Sequence, residues 1–598
     1  MTVTDDRYLN IRSDVRYAAR RMDIFSATIV VSIAIYLAVG NYAGRGVKKL
    51  DDYYVAGRRA PTLLIVGTLV ASVMSSTVFL GEAGFTYEGQ MGPFVLFPQA
   101  ATAGYIVGAL LFGRYLRRSR APTVADYFGQ RFDSHRVQLA AGITVIVALG
   151  GYLVVVTQGA AILLSDLTGL SYTEALIVAW LSYTAFTMYS GSRGVILTDT
   201  LMFLLFTAAS VIVAAYLVDS FGGIAATVEA LARQDAKPGI ASWHGIVGPG
   251  TEWPTPLDYL IWAIAIDIGW GVGYGVSPWQ AGRNLMARDE HVVIRAAVYT
   301  CIVVGLLQIV IYGAGGIVNL AKPDIEPTDT VLIWASTNLV PKFFGALLMA
   351  GIMAAALSSA STFLSLVGFS ASNDLVDHHE KSERQAVNVS RLIMLITGVV
   401  ALAITFVFPP SLFWVTYFIG TVFASSWGPV GFMSVWSRRI TKDGAFWGIV
   451  SGFLANAVPW YFDFTGAITL PSWANPIFIG ITVSLVVTIV VSRMNTVTAV
   501  EHAYREQLHR VPEEDRDPRL IRRTLATVLL LVAYGCVMPL VLQYWYVRPY
   551  QRGTGQLDAD GSLQFGTGEM ILTYTWPMVY IPLGLLTWYV VRRSYVRR

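Results

Sequence analysis

The chain has 598 residues, 55% of them hydrophobic and only 14% charged, with a mean hydropathy of +0.55, which excludes an ordinary soluble domain. Its formal net charge is +4, but the Lys and Arg sit in short connections between apolar runs, a topology signal and not a nucleic-acid footprint. Cys301 and Cys536 lie far apart and frame neither a disulfide scaffold nor a metal site.

Taken in chain order, about fifteen apolar runs have the roughly 20 residues that cross the hydrocarbon layer. They are centred on 23–43, 62–81, 92–113, 138–164, 172–190, 195–218, 257–281, 293–320, 345–370, 389–409, 411–436, 441–464, 473–492, 524–546 and 569–591. Leu, Val, Ile and Ala fill them continuously, without the alternation of outer-membrane strands, so the predicted spans are helices.

Positive charge alternates between the connections. Arg45, Lys48, Lys49, Arg58 and Arg59 precede the second run, and Arg114, Arg117, Arg118, Arg120, Arg131 and Arg136 follow the third. Arg283 and Arg288, then Lys381, Arg384 and Arg391, then Arg438, Arg439 and Lys442 continue the pattern, while the intervening connections are nearly bare. The positive-inside rule puts the amino terminus outside and "VRRSYVRR" in the cytoplasm of a cell inner-membrane protein. Arg7, Arg12, Arg16, Arg20 and Arg21 pull the other way. A signal sequence over 1–43 competes, but the apolar run is long for an h-region and no clear A-x-A site follows.

Two runs are poor continuous helices. "LIVGTLVASVMSSTVFLG" crowds Ser72, Ser75, Ser76 and Thr77 together, and "IDIGWGVGYGVSPWQA" alternates Gly269, Gly271, Gly273 and Gly275 before Pro278. Five helices separate their starts, so units beginning at 62 and 257 have opposite orientations, the pattern of an inverted-repeat transporter. Small residues that merely permit close packing are the competing explanation. The chain divides into a tail, first helix and cytoplasmic link (1–61), a transporter core (62–437), peripheral helices (438–493), a cytoplasmic polar linker (494–523) and two further spans with a short basic tail (524–598).

"AAALSSASTF" at 354–363 is the densest hydroxyl cluster in an apolar run. Ala355, Ser358, Ser359 and Thr362 stand at i, i+3, i+4 and i+7, on one face. A serine can satisfy itself on its own helix, but hydroxyl and carbonyl oxygens also suit a small hard cation. Asp199, in "SRGVILTDTLMFLLF", is an intramembrane carboxylate, a candidate to balance a cation or carry a proton, or else a helix cap.

At these residues the chain resembles the sodium:solute symporter family. "DDYYVAGRRAP", "LVASVMSSTVFLGEAGF", "SRGVILTDTLM" and "MAAALSSASTFLSLVGFSASNDL" carry the likeness, over roughly residues 23 to 493. The resemblance implies an all-α integral membrane protein with a LeuT-type fold, a 5+5 inverted repeat and about 15 transmembrane helices. It implies a principal sodium site at Ala71, Met74, Ala355, Ser358 and Ser359, and in some members a second at Asp199, Ser358, Ser361 and Thr362. Na+ is then the coupling ion, with no organic cofactor, and the partners are a small organic solute and the lipid bilayer. Val73 stands where some relatives carry an aspartate, and Leu197 and Met202 replace a common Trp and Gln, so no solute transfers with the family.

Candidate solute-binding residues are Ser72, Ser75 and Ser76 of the first interrupted run and Asp267, Trp270 and Tyr274 of the second. A carboxylate with aromatic faces suits an ammonium group; an aspartate bonding exposed amides of a helix break is the alternative. No Lys lies in mid-span, and Arg193 and Arg283 fall toward span ends, so an anionic solute would rely on helix amino termini and sodium. "GWGVGYG" lacks the strand of a nucleotide loop, the seven histidines form no cluster, and an enzyme is not expected. Proton-coupled symport and a transporter-like sensor acting through a separate partner are the other classes; no output domain is expected after the final run.

Overall fold

In apolar surroundings a backbone must close its hydrogen bonds within its own segment, and the apolar runs accordingly coil into helices. The computed structural model describes residues 23–375, 383–408 and 412–596. Arg7, Arg12, Arg16, Arg20, Arg21 and Lys381, invoked above for topology, lie outside them, as do the last two arginines of the basic tail. The long helices are α1 (Ile24–Gly44), α2 (Thr62–Val73), α3 (Gln99–Gly108), α4 (His135–Thr168), α5 (Tyr172–Ser220), α6 (Pro256–Val276) and α7 (Glu290–Ile317). They continue with α8 (Lys342–Phe369), α9 (Glu383–Thr405), α10 (Leu412–Trp436), α11 (Lys442–Phe464), α12 (Pro476–Met494), α13 (Pro518–Leu542) and α14 (Gly568–Tyr595). Among the described residues the β content is one isolated bridge, Ala60 to Ala287.

Among the described residues, eleven helices are long and apolar enough to cross a membrane, or twelve with the bent pair Thr62–Val73 and Thr77–Leu96. The about fifteen runs read from the sequence differ from this at three places. Two runs fall within α5, whose 49 residues would reach about 74 Å if straight. Gly191, at φ 53° and ψ −151° inside it, leaves the helical region where a Cβ would meet Tyr53 at 2.5 Å. The run at 92–113 is shared among shorter pieces, and α11 opens on Lys442 and Asp443 and carries Asp463.

α8 is apolar or small on every side and is accordingly almost wholly buried, packed against α4 and α5. α2 lies against α5, where a Cβ on Gly67 would come within 2.5 Å of Thr200 Oγ1.

The second interrupted run departs from its reading. α6 continues unbroken from Pro256 to Val276, with Thr255 accepting from Asp258 N at its start, and it ends at Ser277, whose backbone is extended. The glycines serve close approach instead: a Cβ on Gly104 of α3 would lie 2.0 Å from Gly271 O, and one on Gly108 2.3 Å from Gly275 Cα. Backbones that touch this closely leave no room for side chains.

α13 and α14 pair with each other and pack on α7 and α3. Tyr580 shares a 2.8 Å hydrogen bond with Thr102, and Trp576 Nε1 donates to Leu96 O at 3.2 Å. At the other end of α14, Tyr595 donates to Glu290, which is also paired with Arg118. The two added spans are thereby tied to the helices that flank the candidate site.

Candidate functional site

The site begins where α2 stops. Met74 has φ −76° and ψ 71°, outside the helical region, and the chain resumes as helix over Thr77–Leu96 after a bend of 54°. In an unbroken helix the Ser75 and Val78 amides would bond the Ala71 and Met74 carbonyls. Here Ser75 N donates to Val73 O at 2.9 Å and Val78 N to Ser75 O at 3.1 Å, which releases both carbonyls. α8 passes this opening with Ser359 Oγ 3.4 Å from Ser72 O. Ala71, Met74, Ala355, Ser358 and Ser359 are all fully buried. Neutral oxygens freed from helical bonding beside hydroxyls of a second helix form the donor set that a sodium ion prefers.

Asp199 is buried behind this opening. Thr68 Oγ1 donates to its Oδ2 at 2.6 Å and Ser358 Oγ to its Oδ1 at 2.7 Å. Ser358 keeps lone pairs free while donating, so one hydroxyl can touch both the carboxylate and a cation.

The Arg283 guanidinium stands 3.8 Å from Asp199 Oδ2, with side chains 1% and 0% exposed, and its Nη2 donates to Thr362 Oγ1. The sequence reading set Arg283 toward a span end; the short 3-10 helix Ala281–Met286 after α6 turns it inward. Ser361 Oγ donates to Ser358 O at 2.8 Å, the local back-bond open to any helical serine.

A separate cavity opens between α6, the helical piece after the break, α7 and α10. Asp267, Trp270 and Tyr274 all line it, because α6 is continuous and keeps their i, i+3, i+7 spacing on one face. Asp267 accepts a backbone hydrogen bond from Ala101, while its Oδ2 is buried without a partner. Glu82 faces the same space from the piece after the break; Tyr312 OH donates to it, and Gln308 Nε2 donates to Tyr312 at 3.1 Å. Aromatic rings roof the space: Phe85 stacks on Phe413 at 4.2 Å and 10°, and Trp262 on Tyr417 at 5.9 Å and 28°.

The serines expected beside Asp267 stand elsewhere. Ser72 Oγ donates to Leu69 O and accepts from Gln280, Ser75 pairs with Thr77, and Ser76 donates to Val156 O. None of the three lines the cavity. Sequence reasoning passed over Glu82, although an ionisable residue inside the apolar stretch "VFLGEAGF" is the standard signal of a functional group in a membrane.

Comparison with known proteins agrees with this architecture. Residues 53–452 match the sodium:solute symporter family. The chain is 24% identical over 416 residues to the sodium/pantothenate symporter of Escherichia coli K12, covering 68% of this chain and 83% of that protein. It is 24% identical over 463 residues to the sodium/proline symporter of the same organism, covering 74% and 89%. Among solved structures it superposes on a substrate-bound, outward-open Na+-coupled sialic acid symporter with a TM-score of 0.67 and 19% identity, covering 79% of this chain and 98% of that one. A nucleobase-cation-symport-1 family transporter in a closed conformation gives a TM-score of 0.52 at 13% identity, covering 77% and 99%. These likenesses carry the LeuT-type fold, and the match over two thirds of its length makes this multi-pass chain a member of the sodium:solute symporter family.

Proposed function

We propose that the chain is a sodium-coupled symporter that imports a small organic solute across the plasma membrane by alternating access, with the amino terminus outside and, beyond the thirteen apolar runs that precede it in the sequence, the 494–523 linker in the cytoplasm. The observation that carries this reading is the release of the Ala71 and Met74 carbonyls at the break, opposite Ser358 and Ser359 of α8. Sodium held there bridges α2 and α8, so it stabilises the arrangement that keeps them together and raises affinity for the solute; linkage requires the solute to raise sodium affinity by the same factor.

One sodium site fits the geometry better than two. Asp199, Ser358, Ser361 and Thr362 were the second ligand set implied by the family resemblance, but Arg283 already supplies a fixed cation beside Asp199 and takes up Thr362.

The test is thermal unfolding of the purified protein against sodium at constant ionic strength, with potassium as replacement. A sodium-specific rise in Tm that saturates with one site, is reduced by Ser359→Ala and survives Ser365→Ala is expected. A rise in Tm as pH falls, in place of the sodium effect, would return the proton-coupled reading.

A further inference from the structure

Resting on the transporter reading above, we propose that the solute is a small organic cation, an ammonium or guanidinium compound without a carboxylate, held between Glu82, Asp267 and the rings of the cavity. None of the eighteen lining residues is Arg, Lys or His, whereas two are carboxylates. An acidic solute would enter beside two carboxyl groups and find no cationic partner, and a buried charge without one is costly. A neutral polyol could bond the hydroxyls of the lining but would bring neither carboxyl group a counter-charge.

The polar groups present are set for a positive charge. Asp267 Oδ2 is a buried oxygen without a partner, and Gln308, only 8% exposed, has an unpartnered Oε1 beside Tyr312. Both are acceptors, and a buried acceptor left bare is costly until a donor arrives. Trp270 and Tyr274 follow Asp267 on the same helix face, Trp262 precedes it on that helix, and Phe413 comes from α10. Their faces attract a cation by about 0.5–2 kcal/mol each, and they select an organic cation over a hydrated metal ion. The sodium at the break stays outside this cavity, because the serines of the break do not line it. Solute charge and coupling ion therefore have separate partners.

The experiment titrates purified full-length protein with matched probes, in sodium and again in potassium, following intrinsic tryptophan fluorescence and Tm. Choline is paired with its neutral isostere 3,3-dimethylbutan-1-ol and with glycine betaine, which keeps the trimethylammonium and adds a carboxylate. Methylguanidinium is paired with N-methylurea, and L-proline is included. At least one cation is expected to bind saturably, roughly tenfold or more tighter than its neutral and zwitterionic counterparts. Asp267→Asn and Glu82→Gln are each expected to weaken it by about tenfold or more while the sodium-dependent rise in Tm persists, which certifies that the variants fold.

Betaine or proline binding as tightly as the cations, or no saturable response to either cation, overturns the proposal. Loss of the sodium effect in wild type with cation binding intact in potassium would instead defeat the coupling reading and leave the solute class standing.

Discussion

Asp199 and Asp267 are both carboxylates within the helical bundle, and their surroundings are opposite. Asp199 accepts from two hydroxyls, Thr68 and Ser358, and has a guanidinium 3.8 Å away. Asp267 has a backbone amide and an oxygen with no partner, in a cavity without a basic residue. A buried charge that is fully partnered has been compensated by the protein itself, whereas one left half-bare awaits something from outside. On the proposed reading, the difference separates a group that holds the ion-binding helices in register from one that recognises cargo, and it can be broken or sharpened by substitution.

The largest effect is expected at Arg283. Arg283→Ala strips Asp199 of its counter-charge, and breaking a buried pair from one side costs about 3–5 kcal/mol. Thermal unfolding of Arg283→Ala, Asp199→Asn and the double variant forms a cycle in which the double variant is less damaged than the two singles added together. Additive losses would mean that the two groups do not compensate each other.

Next comes the packing under Asp267. Gly104→Ala drives a methyl into the Gly271 carbonyl, with 2.0 Å available before any movement, so α3 and α6 must part at a cost of about 1–3 kcal/mol. Gly150, with nothing within 4 Å of an added Cβ, is the control, and Gly150→Ala should leave Tm unchanged. The prediction is regional: Gly104→Ala is expected to disturb solute binding at the Asp267 cavity while sodium stabilisation at the break is retained.

These contrasts explain which parts of the molecule the sequence made legible. Helix positions follow from runs of apolar residues, since only a helix satisfies its backbone in lipid, and the break at Met74 was announced by Ser75 and Ser76. The glycine run of α6 was misleading because glycine both weakens a helix and lets two backbones touch. Only the position of α3 opposite Gly271 and Gly275 decides between these. Arg283 lay at an uncertain span boundary, and no linear pattern tells whether such a side chain reaches out to solvent or back to Asp199. The ligand set at the break came from family resemblance; that Ser75 and Val78 amides turn away from Ala71 and Met74 is visible only in three dimensions.

Within the hydroxyl cluster a smaller contrast holds. Ser358→Ala removes a donor to Asp199, worth about 1.5–3 kcal/mol, and takes a ligand from the proposed sodium site. Ser361→Ala removes only a back-bond to its own helix, so its loss should stay within about 1 kcal/mol. Equal losses of stability and of sodium response in the two variants would erase the distinction between them.

The smallest effect on stability is expected at Asp267 itself. In Asp267→Asn the side chain keeps an oxygen to accept from Ala101, while the charge whose second oxygen has no partner is removed. Because no donor reaches that second oxygen, the variant should unfold within about 1 kcal/mol of wild type. A large fall in Tm would reveal that the carboxylate has a structural partner and belongs with Asp199. Retained stability joined to lost solute binding has the opposite meaning: the carboxyl group is not needed to hold the fold, and the residue left half-bare in the empty protein is the one that selects its cargo.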